Sequence, residues 1–553
     1  MFKKRNFLVF FILILIFIVA LSLRFYKLSE FPAGFHIDEA SLGYNGYSLL
    51  LTGKDENNNP YPLYVDMFGD NRPSGYHYLT ILPISIFGLT ELATRFPGAF
   101  FGSISIFAIY LLAMSIFRSK KIALLCSFLL AIAPWHIVLS RASGEAVIAL
   151  FFIVSGFGLI LQSIQNQRLS FLISGTFLAS LSFFFYHTPR VFVPLLFLSL
   201  MFFFFPILRG IKNKRYKIML GCSFLFLSFL AFFLVFVASG GTGRYSQVSI
   251  FNASETRLVM EEQIREDGIV DNSDIFTTRL FHNKVINYSL TFISNYLEYF
   301  SGSFLFIRGG LPIWYSVPGM GVVYLVGLPF VFLGIILLAT HKKTLYKIPL
   351  LWLLIAPVTA AITIDDIPNI NRAIVFLVVI EIIAGYGIYR FISIIQPRAR
   401  AIAISFISIF LLLNFLYFLH QYFVHAPVHK NWYRNEGFGE MVKTIKDSYN
   451  TVDKIVITKD AGGIYPLVLF YMQYDPHAYQ SEGSPKDREY SGFGKFFFVP
   501  QSCPSIDKDS RFPKVNKTIY VEKGECKDQY LRQKIIQRKD GTRVFNINYE
   551  GIP

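Results

Sequence analysis

Long apolar runs dominate the pattern of hydrophobic and polar positions along this chain. Apolar runs of about 20 residues, the length that an α-helix needs to cross a bilayer, recur through most of the sequence. These runs lack the alternation of apolar and polar positions that is typical of outer-membrane barrel strands. The pattern therefore predicts a polytopic membrane protein whose spans are α-helices.

Basic loops orient the predicted helices. Clusters of Lys and Arg separate many of the apolar runs, and short basic loops face the cytoplasm. Placing all of these clusters on that side predicts about eleven transmembrane helices and a cytoplasmic N-terminus in the plasma membrane. The predicted spans are residues 7–23, 92–117, 122–140, 143–164, 169–186, 190–208, 216–238, 316–340, 347–363, 371–391 and 401–420. The apolar segment 76–88 is short and contains Pro83, so we interpret it as an interfacial or re-entrant helix.

Two long loops lie outside the membrane in this arrangement. The first outer loop covers residues 24–91 and the long outer loop covers residues 239–315. Loops longer than about 15 residues are often functional. We interpret residues 239–315 as a mobile lid over a cavity, and a plain connector remains the alternative.

The composition of the chain changes after the last predicted span. Residues 1–425 form the predicted multi-span membrane domain, and residues 426–553 form a predicted soluble extracytoplasmic domain. The predicted elements of the second domain are strands at 454–457, 495–499 and 517–521 and a helix at 465–474. The fold class is thus an all-α polytopic membrane bundle with a small C-terminal α/β domain. Because no Walker loop or dinucleotide motif follows these strands, we interpret this domain as accessory.

Charge and cysteine content refine this interpretation. The net charge of +16 is a common sign of nucleic-acid binding, but much of it lies in short loops between spans, so we discount a nucleic-acid partner. Cys126 and Cys222 lie in apolar spans, whereas Cys503 and Cys526 are the two cysteines of the C-terminal domain. Disulfides persist outside the cytoplasm. We therefore predict a disulfide between Cys503 and Cys526, with two free thiols as the alternative.

The candidate functional residues are polar groups at the predicted outer ends of the spans. Asp38 and Glu39 follow the first span, and adjacent carboxylates at a membrane rim are costly unless they face water or a polar cavity. A third acidic residue, Glu145, lies near the second outer loop. Four arginines lie on the same predicted side, namely Arg141, Arg190, Arg308 and Arg372. Their convergence on one face predicts a single outward-facing site.

These features together resemble the C-type glycosyltransferases. The resemblance rests on the Asp38-Glu39 pair outside the first span, the amphipathic pieces that follow it, the Arg-Phe-Pro-Gly sequence of residues 95–98, and Glu145. It covers roughly residues 1–420 and is closest to the bacterial branch of protein O-mannosyltransferases and lipid A aminoarabinose transferases. The resemblance implies a polyprenyl-phosphate sugar donor and a catalytic role for Asp38. The C-terminal domain carries no motif of that branch, which leaves the acceptor open.

The chemistry of such a transfer agrees with the residue types. A carboxylate is needed to take the proton of the acceptor hydroxyl, and we assign this role to Asp38, with Glu39 and Glu145 as orienting or metal-holding groups. The leaving phosphate needs cationic partners, for which Arg141, Arg190, Arg308 and Arg372 are candidates, although each could instead anchor a span. We expect direct displacement at the anomeric carbon, with inversion.

The cofactor and the function class each have an alternative. His36, Asp38 and Glu145 could supply ligands for a divalent metal ion, but a lone outward His more often makes hydrogen bonds, so metal dependence stays open. The expected partners are a polyprenyl-phosphate sugar, a glycan, lipid or protein acceptor, and membrane lipids. The alternative functions are a membrane transporter and a flippase of lipid-linked glycans, and we see no paired broken helices of the transporter kind.

Overall fold

The computed structural model describes residues 2–67, 70–142, 144–237, 249–252, 254–270, 274–482, 492–508, 516–527 and 533–551. In this part of the chain the α-helices are α1 Phe2–Phe25, α2 Ile37–Thr52, α3 Gly75–Phe87, α4 Glu91–Phe117, α5 Lys120–Ile132, α6 Pro134–Ser140, α7 Glu145–Asn166, α8 Leu169–Leu181, α9 Pro189–Phe203, α10 Phe205–Gly210, α11 Lys214–Phe232, α12 Ser254–Val270, α13 Ile275–Phe281, α14 Lys284–Glu298, α15 Leu328–Ala339, α16 Ile348–Ile355, α17 Val358–Ala361, α18 Ile374–Ile394, α19 Pro397–His420, α20 Phe438–Ser448, α21 Ile464–Met472 and α22 Pro476–Ser481. The strands are β1 Tyr64–Met67, β2 Asp70–Pro73, β3 Lys454–Thr458, β4 Gly492–Phe493, β5 Phe496–Val499, β6 Thr518–Lys523, β7 Gln533–Gln537 and β8 Arg543–Glu550.

Many of these helices have the length and composition of membrane spans. Seven qualify among the described residues: Phe7–Phe25, Glu91–Phe117, Glu145–Asn166, Lys214–Val237, Thr344–Ala361, Ile374–Ile394 and Pro397–His425. The α5–α6 pair, bent by 57°, would be an eighth, and three shorter apolar helices cover Leu169–Phe184, Pro189–Phe203 and Leu325–Ala339. The predicted helical membrane bundle with a C-terminal sheet domain is confirmed at this level. The count of about eleven stays a prediction.

The contacts divide the chain into two compact units. The first unit contains Met1–Leu23, Phe101–Leu139 and Glu145–Phe418, and the second contains Arg24–Phe100, Ser140–Gly144 and Leu419–Pro553. The predicted domain division at residues 425 and 426 stays a prediction. The predicted lid also stays a prediction, since residues 239–248 lie outside the described residues and the described part of that loop is largely helical from α12 to α14.

The first unit is a bundle of packed apolar helices. Among the candidate membrane spans of the described residues, α18 is the most enclosed, with 83 % of its apolar segment buried. Helices α7 and α8 lie against each other where two glycines meet, because a Cβ on Gly156 would come within 2.8 Å of the Ala179 nitrogen and one on Gly175 within 2.8 Å of the Gly156 oxygen. Small residues let membrane helices approach closely in this way.

The second unit combines the first outer loop with the C-terminal residues. Its sheet has the strand order β4-β5-β3-β6-β8-β7, with β3 parallel to both β5 and β6 and the other pairings antiparallel. Helix α21 contributes buried Leu467 and Phe470 to a core that also includes Phe35 and Tyr44 from the first outer loop. The hairpin of β1 and β2 pairs Val65 with Arg72. Residues that are hundreds of positions apart therefore share one hydrophobic core.

The predicted C-terminal strands and helix are found close to their expected positions. Strands β3, β5 and β6 cover the segments predicted as strands, and α21 covers most of the predicted helix. The segment predicted as an interfacial or re-entrant helix forms α3, with Pro83 inside it. Cys503 and Cys526 are joined by a disulfide, with their Cα atoms 5.8 Å apart.

Candidate active site

The Asp38-Glu39 pair lies in the first turn of α2, where local sequence forms a capping box. His36 is the N-cap residue, and its Nδ1 accepts a hydrogen bond from the Asp38 backbone N–H at 3.2 Å. In return, the His36 backbone N–H donates to Glu39 Oε2 at 3.1 Å. Such reciprocal bonds satisfy amide groups that have no partner within the helix. Carboxylates are also favoured here by the positive end of the helix dipole.

Glu39 is held by two arginines in a buried site. Its side chain is 1 % exposed, and Oε1 accepts from Arg95 Nε at 2.8 Å. Arg434, which lies far along the sequence, donates to Oε2 of the same carboxylate. Burial alone would raise the pKa of Glu39, but the charges of Arg95 and Arg434 and their hydrogen bonds bring that pKa below its ordinary value. Glu39 is therefore an ionised anchor whose oxygens are occupied by protein donors.

Arg95 also fixes the chain that leads into α2. Its Nη1 donates to the Leu28 carbonyl at 3.0 Å and its Nη2 to the Gly34 carbonyl at 2.7 Å. Gly34 has a φ of +77°, and a Cβ at this position would collide with the Arg434 carbonyl oxygen. Glycine is suited to such a left-handed and crowded position. The loop before Asp38 is therefore held from two sides.

Asp38 has a different environment from its neighbour. Its side chain is 16 % exposed, and Oδ2 lies 3.1 Å from Arg72 Nη1. His36 Nδ1 lies 3.7 Å from the same oxygen, and burial lowers the pKa of His36, which favours its neutral form. Of the two adjacent carboxylates, Asp38 is thus the one that a small molecule can reach, with a guanidinium beside it.

Arg141 lies in the second unit, in an enclosed position. Its side chain is fully buried, and its Nη2 donates to the carbonyl oxygens of Tyr26 at 2.7 Å and Phe31 at 3.1 Å. The guanidinium also lies over the Phe423 ring at 5.3 Å. These contacts favour a structural role, and the predicted contact with a donor phosphate stays a prediction.

The remaining predicted site residues lie in the first unit. Glu145 is the first residue of α7 and is 7 % exposed. Arg190 donates twice to the Phe183 carbonyl, at 3.0 and 2.7 Å. Arg372 donates to Thr363 Oγ1 and to the Asp365 carbonyl, each at 2.7 Å, whereas Arg308 is exposed. Asp38 and Glu39 therefore lie together in the second unit. Of the three predicted arginines in the first unit, Arg308 has an exposed side chain, whereas Arg190 and Arg372 are buried.

A metal site is not assembled in the described part of the chain. No group of three or more His, Cys, Asp or Glu side chains among these residues is placed to hold a metal ion. Of the three predicted ligands, His36 and Asp38 are neighbours in the second unit and Glu145 lies in the first.

Sequence reasoning missed two arginines of this site. Arg72 lies on β2 of a hairpin that the sequence analysis did not predict, and Arg434 follows the last apolar helix in a stretch that we left without a role. Arg95 was noted only as part of a motif. An acidic pair at the start of a helix indicates that cationic partners exist. The sequence near Asp38 and Glu39 does not identify which arginines those partners are.

Comparisons with known proteins place this geometry in context. The family described as dolichyl-phosphate-mannose-protein mannosyltransferase matches residues 71–236. No curated protein matches the sequence.

Solved structures are similar over more of the chain. ArnT from Cupriavidus metallidurans, solved bound to undecaprenyl phosphate, has a TM-score of 0.53 and 13 % identity, covering 97 % of each chain. The oligosaccharyltransferase AglB from Archaeoglobus fulgidus, solved with an inhibitory peptide and a dolichol-phosphate, has a TM-score of 0.52 and 13 % identity. That match covers 84 % of this chain but only 64 % of the archaeal chain, so this protein spans less than two thirds of that relative's length.

Identities this low establish likeness of fold. The family match and the two kinds of solved structure nevertheless agree with the resemblance drawn from the sequence. That resemblance is confirmed: the chain is similar to the C-type, polyprenyl-phosphate-dependent glycosyltransferases and shares their fold.

Proposed function

We propose that this protein is an integral membrane glycosyltransferase that moves a sugar from a polyprenyl-phosphate donor to a hydroxyl acceptor. The observation that carries the proposal is the pair of Asp38 and Arg72, a reachable carboxylate beside a guanidinium at the start of α2. Base and cation at one place suit a reaction in which a hydroxyl loses a proton and a phosphate leaves. The similar ArnT and AglB structures were solved with undecaprenyl phosphate and a dolichol-phosphate bound, which supports this donor class.

In this mechanism, Asp38 acts as the general base. The acceptor oxygen attacks the anomeric carbon, the bond from that carbon to the phosphate oxygen breaks, and polyprenyl phosphate leaves with the bonding electrons. The acceptor proton passes to an Asp38 carboxylate oxygen. A single displacement of this kind inverts the anomeric configuration. Arg72 is the cation that we assign to the donor phosphate, because it is 19 % exposed and already lies against the base.

Glu39 has a positioning role in this proposal. Its oxygens are engaged by His36, Arg95 and Arg434, so it holds the first turn of α2 rather than contacting substrate. A catalytic group must be held to well below 1 Å of its productive position, and a packed and hydrogen-bonded support provides this. The roles of Glu145 and of the other predicted arginines stay predictions.

The placement of the protein in the membrane is part of the proposal. We infer that the N-terminus lies in the cytoplasm and that the transfer takes place on the outer face, because the basic loops would then all face the cytoplasm. We also infer that the three shorter apolar helices complete a bundle of about eleven spans. The acceptor is a hydroxyl of a glycan, lipid or protein.

The test is turnover by the purified full chain in detergent. Undecaprenyl-phosphate-linked hexoses and pentoses are supplied with envelope extract as acceptor, and release of undecaprenyl phosphate is followed by mass spectrometry. We expect acceptor-dependent release for wild type and for Glu30→Gln, a matched control at an exposed acid of the same loop. Asp38→Asn is expected to release undecaprenyl phosphate about 10²–10⁴-fold more slowly. Absence of release with every donor, or flipping of the donor in vesicles without sugar transfer, would refute the proposal.

A further inference from the structure

A polar groove lies in the first unit at the ends of α4 and α7 and the start of α8. It has a volume of about 630 Å³ and is lined by Met114, Ser115, Arg118, Gln162, Gln165, Asn166, Arg168 and Phe171. None of these residues belongs to the candidate active site, and the proposed function gives the groove no role. Its lining combines two cations with four neutral polar side chains, so its chemistry is that of an anion site.

The two arginines enter the groove from two different loops. Arg118 follows α4 with a φ of +52°, a left-handed conformation that glycine usually takes at a helix end. Its Nε donates to Gln165 Oε1 at 2.8 Å, and Gln165 in turn donates to the Ser115 carbonyl at 2.6 Å. Arg168 lies over the Phe171 ring with its guanidinium carbon 5.9 Å from the ring centroid. Both guanidinium groups are thus oriented by neighbouring side chains while remaining exposed.

The start of α8 adds hydrogen-bond donors to this site. Arg168 is the N-cap residue of α8 and makes no side-chain capping bond. The first-turn amides of a helix need partners from outside the helix, and a phosphate oxygen is a suitable acceptor. The N-cap and the third residue of the helix, Arg168 and Phe171, both line the groove. An anion between the two arginines would therefore also meet backbone N–H groups.

The position of the groove at the ends of two candidate membrane spans, α4 and α7, indicates that the anion belongs to a lipid. Met114 and Phe171 supply apolar atoms to the lining itself. Along α8, Ile173 and Phe177 are 55 % and 59 % exposed, and their spacing of four residues places them on one face of the helix. Exposed apolar side chains on a membrane helix contact acyl chains. A lipid whose headgroup lies in the groove has acyl chains that can pack against such exposed helix surface, whereas a free phosphate ion has none.

We propose that this groove binds the phosphodiester headgroup of an anionic glycerophospholipid, between Arg118 and Arg168. The amide side chains of Gln162 and Asn166 are placed to hydrogen-bond hydroxyl groups of the headgroup. Basic pockets between membrane helices are known to hold anionic headgroups. In the proposed orientation the site faces the cytoplasmic leaflet.

The test is native mass spectrometry of the full chain in detergent, with phosphatidylglycerol titrated against phosphatidylcholine. We expect wild type to retain phosphatidylglycerol preferentially. The double variant Arg118→Gln/Arg168→Gln should bind it about 30-fold more weakly, from two lost lipid–cation contacts. Lys121→Gln removes an equal charge from an exposed neighbour that does not line the groove, so it should bind as wild type does.

The other outcomes overturn the proposal. Equal weakening by Lys121→Gln would mean diffuse attraction by the basic loops, and equal binding of the two lipids would mean that the headgroup charge is not recognised. Displacement of the lipid by millimolar inorganic phosphate would identify a free-anion site. If the double variant is not monodisperse in size-exclusion chromatography, Arg168→Gln alone is used, with an expected weakening of about 5-fold.

Discussion

The buried contact between Glu39, Arg95 and Arg434 provides the sharpest test of the structure. Glu39→Gln removes the negative charge that bonds the fully buried Arg95 guanidinium, and the carboxylate left to Arg95 is Glu91, whose Oε2 lies 3.9 Å from Nη1. Removing one partner of a buried ion pair costs about 3–5 kcal/mol, because the remaining charge stays buried. Arg95 keeps its bonds to the carbonyls of Leu28 and Gly34, so we expect the lower end of this range.

The assay is the rate of thermal inactivation at a fixed temperature, followed by loss of monodisperse protein. If the contact is already broken in the transition state of unfolding, the full loss of about 3 kcal/mol of stability lowers the barrier to unfolding. Inactivation is then roughly 160-fold faster than in wild type. Glu30→Gln is the control, since Glu30 forms an exposed pair with Lys27 and its loss should change little. Equal inactivation rates for Glu39→Gln and Glu30→Gln would refute the reasoning.

A double-mutant cycle separates the interaction between Glu39 and Arg434 from the other effects of each substitution on stability. Arg434→Met leaves Glu39 bonded to Arg95 and to the His36 N–H. We therefore expect this variant to lose about 1.5–3 kcal/mol of folding stability, the value of one charge-assisted hydrogen bond. The double variant Glu39→Gln/Arg434→Met should lose less folding stability than the two single variants lose together, because both substitutions remove the same contact. Strict additivity would show that the two side chains do not interact.

The loss of stability in Glu39→Gln should depend on pH, and the pKa of Glu39 fixes the direction of that dependence. Because the pKa of Glu39 is lowered in the folded protein, its stabilising contribution is fully present above the ordinary glutamate pKa of about 4.3. It is lost only as the pH falls through the lower folded pKa. The stability difference between wild type and Glu39→Gln should therefore be constant between about pH 6 and pH 8 and narrow only at more acidic pH. A difference that already vanishes at pH 6 would mean that the pKa is raised.

Three further predictions concern the proposed function and the orientation of the chain. Asp38→Asn should keep the fold and reduce sugar transfer by about 10²–10⁴-fold, the range for loss of a general base, and wild-type turnover by this variant would exclude the assignment. Cysteines introduced at Asp460 and Lys343 should be labelled from the outside and the inside of intact cells respectively, and labelling from the same side would show that the predicted topology is wrong. Alkylation of unreduced protein should leave Cys503 and Cys526 unmodified, whereas reduction should expose both and destabilise their loop by about 3 kcal/mol; two alkylated peptides before reduction would contradict the bridge.

The sequence was informative where physical signals are local. Long apolar runs identify membrane helices from composition alone, and short β-branched and aromatic runs identified β3, β5 and β6. The strands β7 and β8 were not predicted, because their apolar positions are interrupted by Gln, Asn and Arg. The α2 helix was seen only as amphipathic pieces, since its glycines and its Asn weaken the helical pattern.

The candidate site was predicted only in part for the same reason. Asp38 stands out because two adjacent carboxylates at the end of an apolar run are energetically costly unless they face water or a polar cavity. Arg434 meets Glu39 across 395 residues of sequence, and nothing near either residue indicates that contact. The four arginines proposed from the sequence were chosen by position along the spans, and position alone does not distinguish Arg141, buried among carbonyls, from Arg308, which is exposed.

The contacts of α2 change the interpretation of the C-terminal residues as an accessory domain. Tyr44 donates through its hydroxyl to the Tyr474 carbonyl at 3.2 Å, and Gln480 donates to Ser48 Oγ at 2.9 Å, so α2 is bonded along its length to the segment that follows α21. At its first turn, Arg434 reaches Glu39 from the same C-terminal region. Since Asp38 lies on that turn, its position is set by residues more than 390 positions away in the sequence. A change in the C-terminal residues that shifts α2 would therefore also move Asp38, the proposed base, so these residues help to position the Asp38 side chain.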